Sequence, residues 1–256
     1  MRIAPLAVVA LLLLAPARAR ATGIDLNWDN CLFNVANRVA DKTFDCDTND
    51  GGPFQIFGSL RTGVALSGIT GWSVDINIYP GSGATVNDWW RMGVQDCRDG
   101  GISFVGLPGQ MTNVTPCIKG LVGPGTPIVG SAYFLKDNLR DWYRMGVLWT
   151  SGITVSGTAK YQLFRIDLNT SKTAADPGHP ENGVCAGCLE PTCIELVVVE
   201  VHQPGDSPDG LNYYFASELA TYVTWQGGGG FPYYYCPYTA VPVHRSTWGQ
   251  VKSLYR

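Results

Sequence analysis

The sequence predicts an all-β protein, an antiparallel β-sandwich stapled by disulfides, and three observations lead there. Residues 72–79 alternate without a fault. Trp72, Val74, Ile76 and Ile78 fall on one face, and Ser73, Asp75, Asn77 and Tyr79 on the other, the period of a half-buried strand. Comparable short runs recur roughly every ten residues between Gly- and Pro-rich turns. The composition joins 31 Gly and 16 Pro to 12 Tyr and 8 Trp, with only 15% charged residues, which favours strands and turns over helices. Jelly-roll, Ig-like and cohesin-like layouts share these features, and the pattern does not choose among them.

Taken in order, residues 24–28 alternate apolar and polar, and residues 54–60 form a β-rich run after Gly51-Gly52-Pro53. Strand 72–79 ends at Pro80-Gly81-Ser82-Gly83. Further strands are predicted at 102–105, 128–135 and 146–156. Residues 161–168 alternate again, with Phe164, Ile166 and Leu168 inward and Arg165 and Asp167 outward. Residues 194–201 are nearly continuous apolar, β-branched sequence, which predicts a central strand covered on both faces. A last strand is predicted at 222–225. Residues 139–145 and 217–222 are too short and too aromatic to argue for helices.

Three segments follow. Residues 1–21 read as a secretory signal peptide: Arg2, an apolar run ending in four leucines, then Ala19-Arg20-Ala21 as small residues at a cleavage site. The run is too short to span a bilayer, which takes about 20 apolar residues. Residues 22–225 are the β-sandwich domain. Residues 226–256 are a Gly/Tyr-rich linker and C-terminal tail, since Gln226 and four glycines break the composition. The expected location is secreted, periplasmic or cell surface, with no transmembrane segment in the mature chain. Arg2, Arg18 and Arg20 leave with the leader, so 15 of 18 basic residues remain against 21 acidic ones, a charge of −6. That sign and the lack of any Lys/Arg run argue against a nucleic-acid partner.

Eight cysteines, all beyond the leader, fit an oxidising compartment. Cys31 with Cys46 and Cys97 with Cys117 are close in sequence and are expected as local pairs, each contributing roughly 3 kcal/mol. Cys185, Cys188, Cys193 and Cys236 would then pair among themselves, in a connectivity the spacing leaves open. The same four could instead hold zinc as thiolates, although two disulfides suit an exported protein better.

Several patches carry a resemblance. The Cys185-x-x-Cys188-x4-Cys193 patch, Tyr222-Val-Thr-Trp-Gln-Gly-Gly228, Ile24-Asp-Leu-Asn-Trp28 and the tail Thr247-Trp-Gly-Gln-Val-Lys-Ser-Leu-Tyr-Arg256 together resemble a family of uncharacterised exported bacterial proteins. The resemblance implies a secreted, Cys-rich protein and assigns no catalytic residue. The Trp-Gly-x-x-Lys-x-x-Tyr ending also resembles the termini of other exported bacterial proteins, which implies an export or sorting element; the alternative is an edge strand or short helix that caps the domain.

Candidate chemistry is sparse. Asp45, Asp47 and Asn49 place oxygens at alternate positions, as a calcium loop begins, but Asp50 stands where that loop needs Gly and Ile56 where it needs Glu. No cofactor is expected, with calcium at this loop the alternative. His179, His202 and His244 are the only histidines, and no Gly-x-Ser-x-Gly or His-Glu-x-x-His motif occurs. Glu195 and Glu200 have opposite parity on one strand and are expected on opposite faces, which argues against a paired-carboxylate glycosidase. Asp88-Trp-Trp-Arg-Met-Gly-Val94 recurs as Asp141-Trp-Tyr-Arg-Met-Gly-Val147, matching at six of seven positions. The pair reads as equivalent strands of a duplicated half, or as chance. Trp89, Trp90, Trp142 and Tyr143 could form an aromatic platform for a glycan, or be spent in the core.

The functional expectation is a non-catalytic binding or structural module outside the cell, with a glycan or another surface protein as partner. A carbohydrate-binding module or glycoside hydrolase, and a calcium- or zinc-binding extracellular protein, are the alternatives.

Overall fold

Among its described residues, the computed structural model orders twelve strands into two sheets. It describes residues 23–31, 38–80, 86–110, 117–137, 140–178, 183–203, 211–215 and 221–227. The leader and most of the tail, including Cys236 and residues 247–256, lie outside the described residues, as do His179, His244, Glu181 and Glu218. The strands are β1 (Gly23–Trp28), β2 (Asp41–Lys42), β3 (Phe54–Arg61), β4 (Leu66–Pro80), β5 (Ile102–Val105), β6 (Ile118–Lys119), β7 (Ile128–Asp137), β8 (Arg140–Val155), β9 (Tyr161–Leu168), β10 (Thr192–His202), β11 (Leu211–Phe215) and β12 (Tyr222–Trp225).

The smaller sheet runs β1-β3-β9-β5, with β6 also on β9; the larger runs β2-β12-β10-β4-β8-β7, with β11 also on β10. Most pairs are antiparallel; β2–β12 and β6–β9 are parallel. The inward rows fill one core: Leu26 and Trp28 from β1, Trp72, Val74, Ile76 and Ile78 from β4, Val147 and Trp149 from β8, Phe164 and Ile166 from β9, and Val199 and Val201 from β10. The predicted alternation of residues 72–79 is that row. Gly58 on β3 makes room for its cross-strand partner on β9, because a Cβ there would fall 2.0 Å from the Phe164 ring.

Two expectations are corrected. The repeated heptapeptide is not a structural repeat: Asp88–Trp90 is a 3-10 turn, whereas residues 141–147 lie within β8. Residues 140–145, too short and aromatic for a helix, are the start of that strand, with Tyr143 and Met145 in the core and Trp142 and Arg144 on the outer face. The second correction concerns the cysteines. Cys31 pairs with Cys117, Cys46 with Cys188 and Cys97 with Cys185. Cys193 is also disulfide-bonded.

Neighbours in sequence do not pair because the segments around 88–101 and 183–191 fold together over one end of the sandwich. There Trp89 N donates to Ala186 O at 2.9 Å and Cys185 N to Lys172 O at 2.8 Å. The bridges span 86, 142 and 88 residues, so each constrains the unfolded chain by about 5 kcal/mol, against about 3 for a short local loop. With Cys185 and Cys188 oxidised, the four-thiolate zinc site is lost.

That end is built on aromatic rings. Trp225 stacks on Trp89 at 5.0 Å between centroids and meets Trp28, Phe44, Phe54 and Trp90 at 5.1 to 6.1 Å. Arg98 is fully buried beneath it, its guanidinium 3.7 Å from the Trp89 ring centroid. It donates to the carbonyls of Trp89, Ser171 and Asn169. Burial lowers its pKa to about 10, so it stays charged at neutral pH.

Two predictions follow from this end of the molecule. A non-reducing peptide map should join the Cys97 peptide to that of Cys185, and Cys97→Ser/Cys185→Ser should cost about 2–5 kcal/mol in denaturant unfolding. Arg98→Met should cost about 3 kcal/mol, because it removes the donor from three carbonyls, that of Trp89 buried and those of Ser171 and Asn169 partly buried; a change below about 0.5 kcal/mol would refute that role.

Candidate functional site

The outer face of the larger sheet carries a trough, and its shape follows from which residues are small. One cross-strand row runs Gly130 on β7, Gly146 on β8, Ser73 on β4 and Glu200 on β10. The flanking rows are bulkier. Ala132, Arg144 and Asp75 form one, and Ile128, Leu148, Gly71 and His202 the other. Three small side chains between larger ones leave a cavity of about 670 Å³, with Trp142 at its end. Ile128 and Leu148 are 71% and 47% exposed on its rim.

One wall is polar. Ser73 Oγ donates to Glu200 Oε2 at 2.7 Å, and Arg144 Nη2 donates to the same oxygen at 2.5 Å. Arg144 Nε also lies 3.6 Å from Asp75 Oδ1. His202 Nε2 stands 3.5 Å from Ser73 Oγ. The serine's single proton goes to a carboxylate, so it is not aimed at the imidazole, and nucleophilic activation would need it there. Burial depresses the His202 pKa below 6.5; Glu200 opposes the shift and Arg144 adds to it.

Glu195 and Glu200 share this face, contrary to the parity argument. A β-bulge at residue 197 inserts one extra position, so Glu195 pairs with Asn77 and Glu200 with Ser73, both on the outer row of β4. Those partners stand four positions apart on β4, about 13 Å by the strand rise. Paired glycosidase carboxylates sit at most about 9.5 Å apart.

The predicted aromatic residues separate. Trp89, Trp90 and Tyr143 are buried, and Trp89 and Trp90 belong to the cluster around Trp225. Trp142 alone of the four lines the trough. The sequence signal for the rest of the site was the alternation through Arg144, Gly146 and Leu148 on β8.

Asp45 and Asp47 are exposed. Asn49 Oδ1 accepts from Thr173 N at 2.8 Å and Ala174 N at 3.0 Å, which uses both its lone pairs. Among the described residues, no three His, Cys, Asp or Glu side chains gather in a metal-ligating group, and no helix is long and apolar enough to cross a membrane.

No family model matches the chain, and no curated protein matches it. Among solved structures it is similar to a cohesin module from Clostridium perfringens ATCC13124 family 33 glycoside hydrolase, at 9% identity. The match covers 80% of this chain and 98% of that one, with a TM-score of 0.34, too slight to bear on function.

The trough gives a stability signature. His202 is harder to protonate folded than unfolded, so below pH 6.5 the unfolded chain takes up the proton first and stability falls. The melting temperature should drop more steeply on acidification below 6.5 in the wild type than in His202→Gln; parallel curves would show that the histidine is not coupled to folding.

Proposed function

We propose that the protein is an exported, non-catalytic binding module whose ligand lies in the outer-face trough, and that the ligand is a glycan. The carrying observation is the small-residue row Gly130–Gly146–Ser73, with Trp142 and Arg144 lining the same trough and Glu200 bonded to Arg144. An indole accepts the apolar C–H face of a sugar ring, and neighbouring charged groups take its hydroxyls. Ile128 and Leu148 supply more apolar wall, as small-molecule sites require. Export is supported by the leader-like segment 1–21 and by the disulfides, which persist in oxidising compartments.

The Ser73–His202–Glu200 grouping raises hydrolysis as a second reading. Labelling of Ser73 by a fluorophosphonate probe would favour that reading, and the direction of the serine proton supports its absence.

Two substitutions test the glycan reading on the full chain. Trp142→Ala should weaken a glycan-array hit by at least about tenfold, a change of 1.4 kcal/mol. Gly130→Leu should do the same with an unchanged melting temperature, since a Cβ at Gly130 meets no atom within 4 Å. Glycan binding that ignores both changes, or no glycan signal at all, would overturn the assignment; retention of a protein partner in its place would mark a protein-docking face.

A further inference from the structure

The outer face of the smaller sheet carries a chemical arrangement independent of the trough. Asp25 and Asn27 sit two residues apart on β1, on the row that faces away from the core, opposite Ser59 and Phe57 of β3. Polar residues in such a row normally face water, yet Asp25, Asn27, Ser59 and Phe57 are each 1% exposed. Lys160, just before β9, is 5% exposed and reaches into the same group. Its Nζ lies 3.1 Å from Asp25 Oδ2, and Asn27 Nδ2 donates to that same oxygen at 3.1 Å. One carboxyl oxygen thus touches both a lysine amine and a carboxamide in a dry site.

We propose that Lys160 and Asn27 form an intramolecular isopeptide bond, with Asp25 as the proton shuttle. Nζ attacks Cγ of Asn27, and a C–N bond forms. Asp25 takes a proton from the amine and returns one to Nδ2. The Cγ–Nδ2 bond breaks and ammonia leaves. Amine and carboxamide become a secondary amide and ammonia, so the step needs no oxidant, reductant or added group.

Three features favour the step over a plain buried ion pair. The nucleophile must be uncharged, and burial lowers the Lys160 pKa to about 8 while raising that of Asp25, both toward a neutral pair. A buried ion pair contributes little net stability, because desolvation offsets the attraction. The groups are also held in place before reaction, since β1 is locked in register to β3 and β3 to β9, and such positioning supplies much of the barrier lowering of an intramolecular step.

The test is the mass of the full secreted chain after complete reduction and alkylation, which removes the disulfides from the count. The expected mass is about 17 Da below that of the linear mature sequence, and the digest should contain a branched peptide joining Lys160 to Asn27. Asp25→Ala and Lys160→Arg should each restore the linear mass. The linear mass in the wild type would overturn the proposal, whether or not either variant folds. A deficit of about 18 Da with Lys160 joined to Asp25 would overturn it too, since it marks loss of water with the carboxyl as acyl donor.

Discussion

The ring of Trp225 is the constraint on which the rest of this fold depends. It closes β12 in the larger sheet and packs against Trp28 of β1 and Phe54 of β3 in the smaller one, so a single side chain sits where the two layers meet. Its indole N–H donates to Cys188 O at 2.7 Å, while Trp28 Nε1 donates to Thr224 O at 2.9 Å. The sheets are therefore joined by directional bonds as well as by apolar area. Trp89 and Trp90 arrive from the 3-10 turn and complete the cluster. Truncating one such buried ring typically costs about 3–5 kcal/mol. The two disulfides on Cys185 and Cys188 clamp the segments that carry these rings, so covalent and aromatic constraints act on the same end.

With one end fixed in this way, the outer faces are free to differ. On the larger sheet the bulge at residue 197 turns Glu200 and His202 onto the face that holds Ser73 and Arg144. Without that extra residue the polar wall of the trough would not assemble. On the smaller sheet the register Asp25–Ser59–Gln162 puts three polar side chains in one buried row. The side-chain amide of Gln162 has no hydrogen-bond partner there, a cost of roughly 1–3 kcal/mol. One sheet thus presents polar groups to a cavity, and the other encloses them.

Much of the fold was legible in local pattern. The predicted strands 102–105, 161–168 and 222–225 match β5, β9 and β12 to the residue, because each is bounded by turn formers and contains the β-branched and aromatic residues that fit a pleated surface. Strand β10 was legible as central because its apolar run is continuous. Illegible features were those set by distant partners. β2 and β6 are two residues long and exist only because β12 and β9 lie beside them. The cysteine pairing depends on how two loops meet over Trp225, which sequence separation does not encode. The parity of Glu195 and Glu200 was lost to one bulged residue. Of the site, Trp142 was singled out for its aromatic character alone, and the trough beside it depends on cross-strand register.

The glycines of the trough separate what packing demands from what it does not. Gly146 has a structural reason, since a Cβ there would meet Trp72 O at 3.0 Å and Ser73 Cβ at 3.2 Å. Gly71 is likewise crowded, by the Leu148 side chain and Val147 O. Gly130 is different, because nothing lies within 4 Å of where its Cβ would stand. A glycine within a strand costs about 0.5–1 kcal/mol against alanine, and opposite another glycine it gives up the cross-strand contact that stabilises β7 on β8. Neither backbone conformation nor core packing asks for it. What its absent side chain leaves behind is the open floor of the cavity, the space in which the proposed ligand would lie.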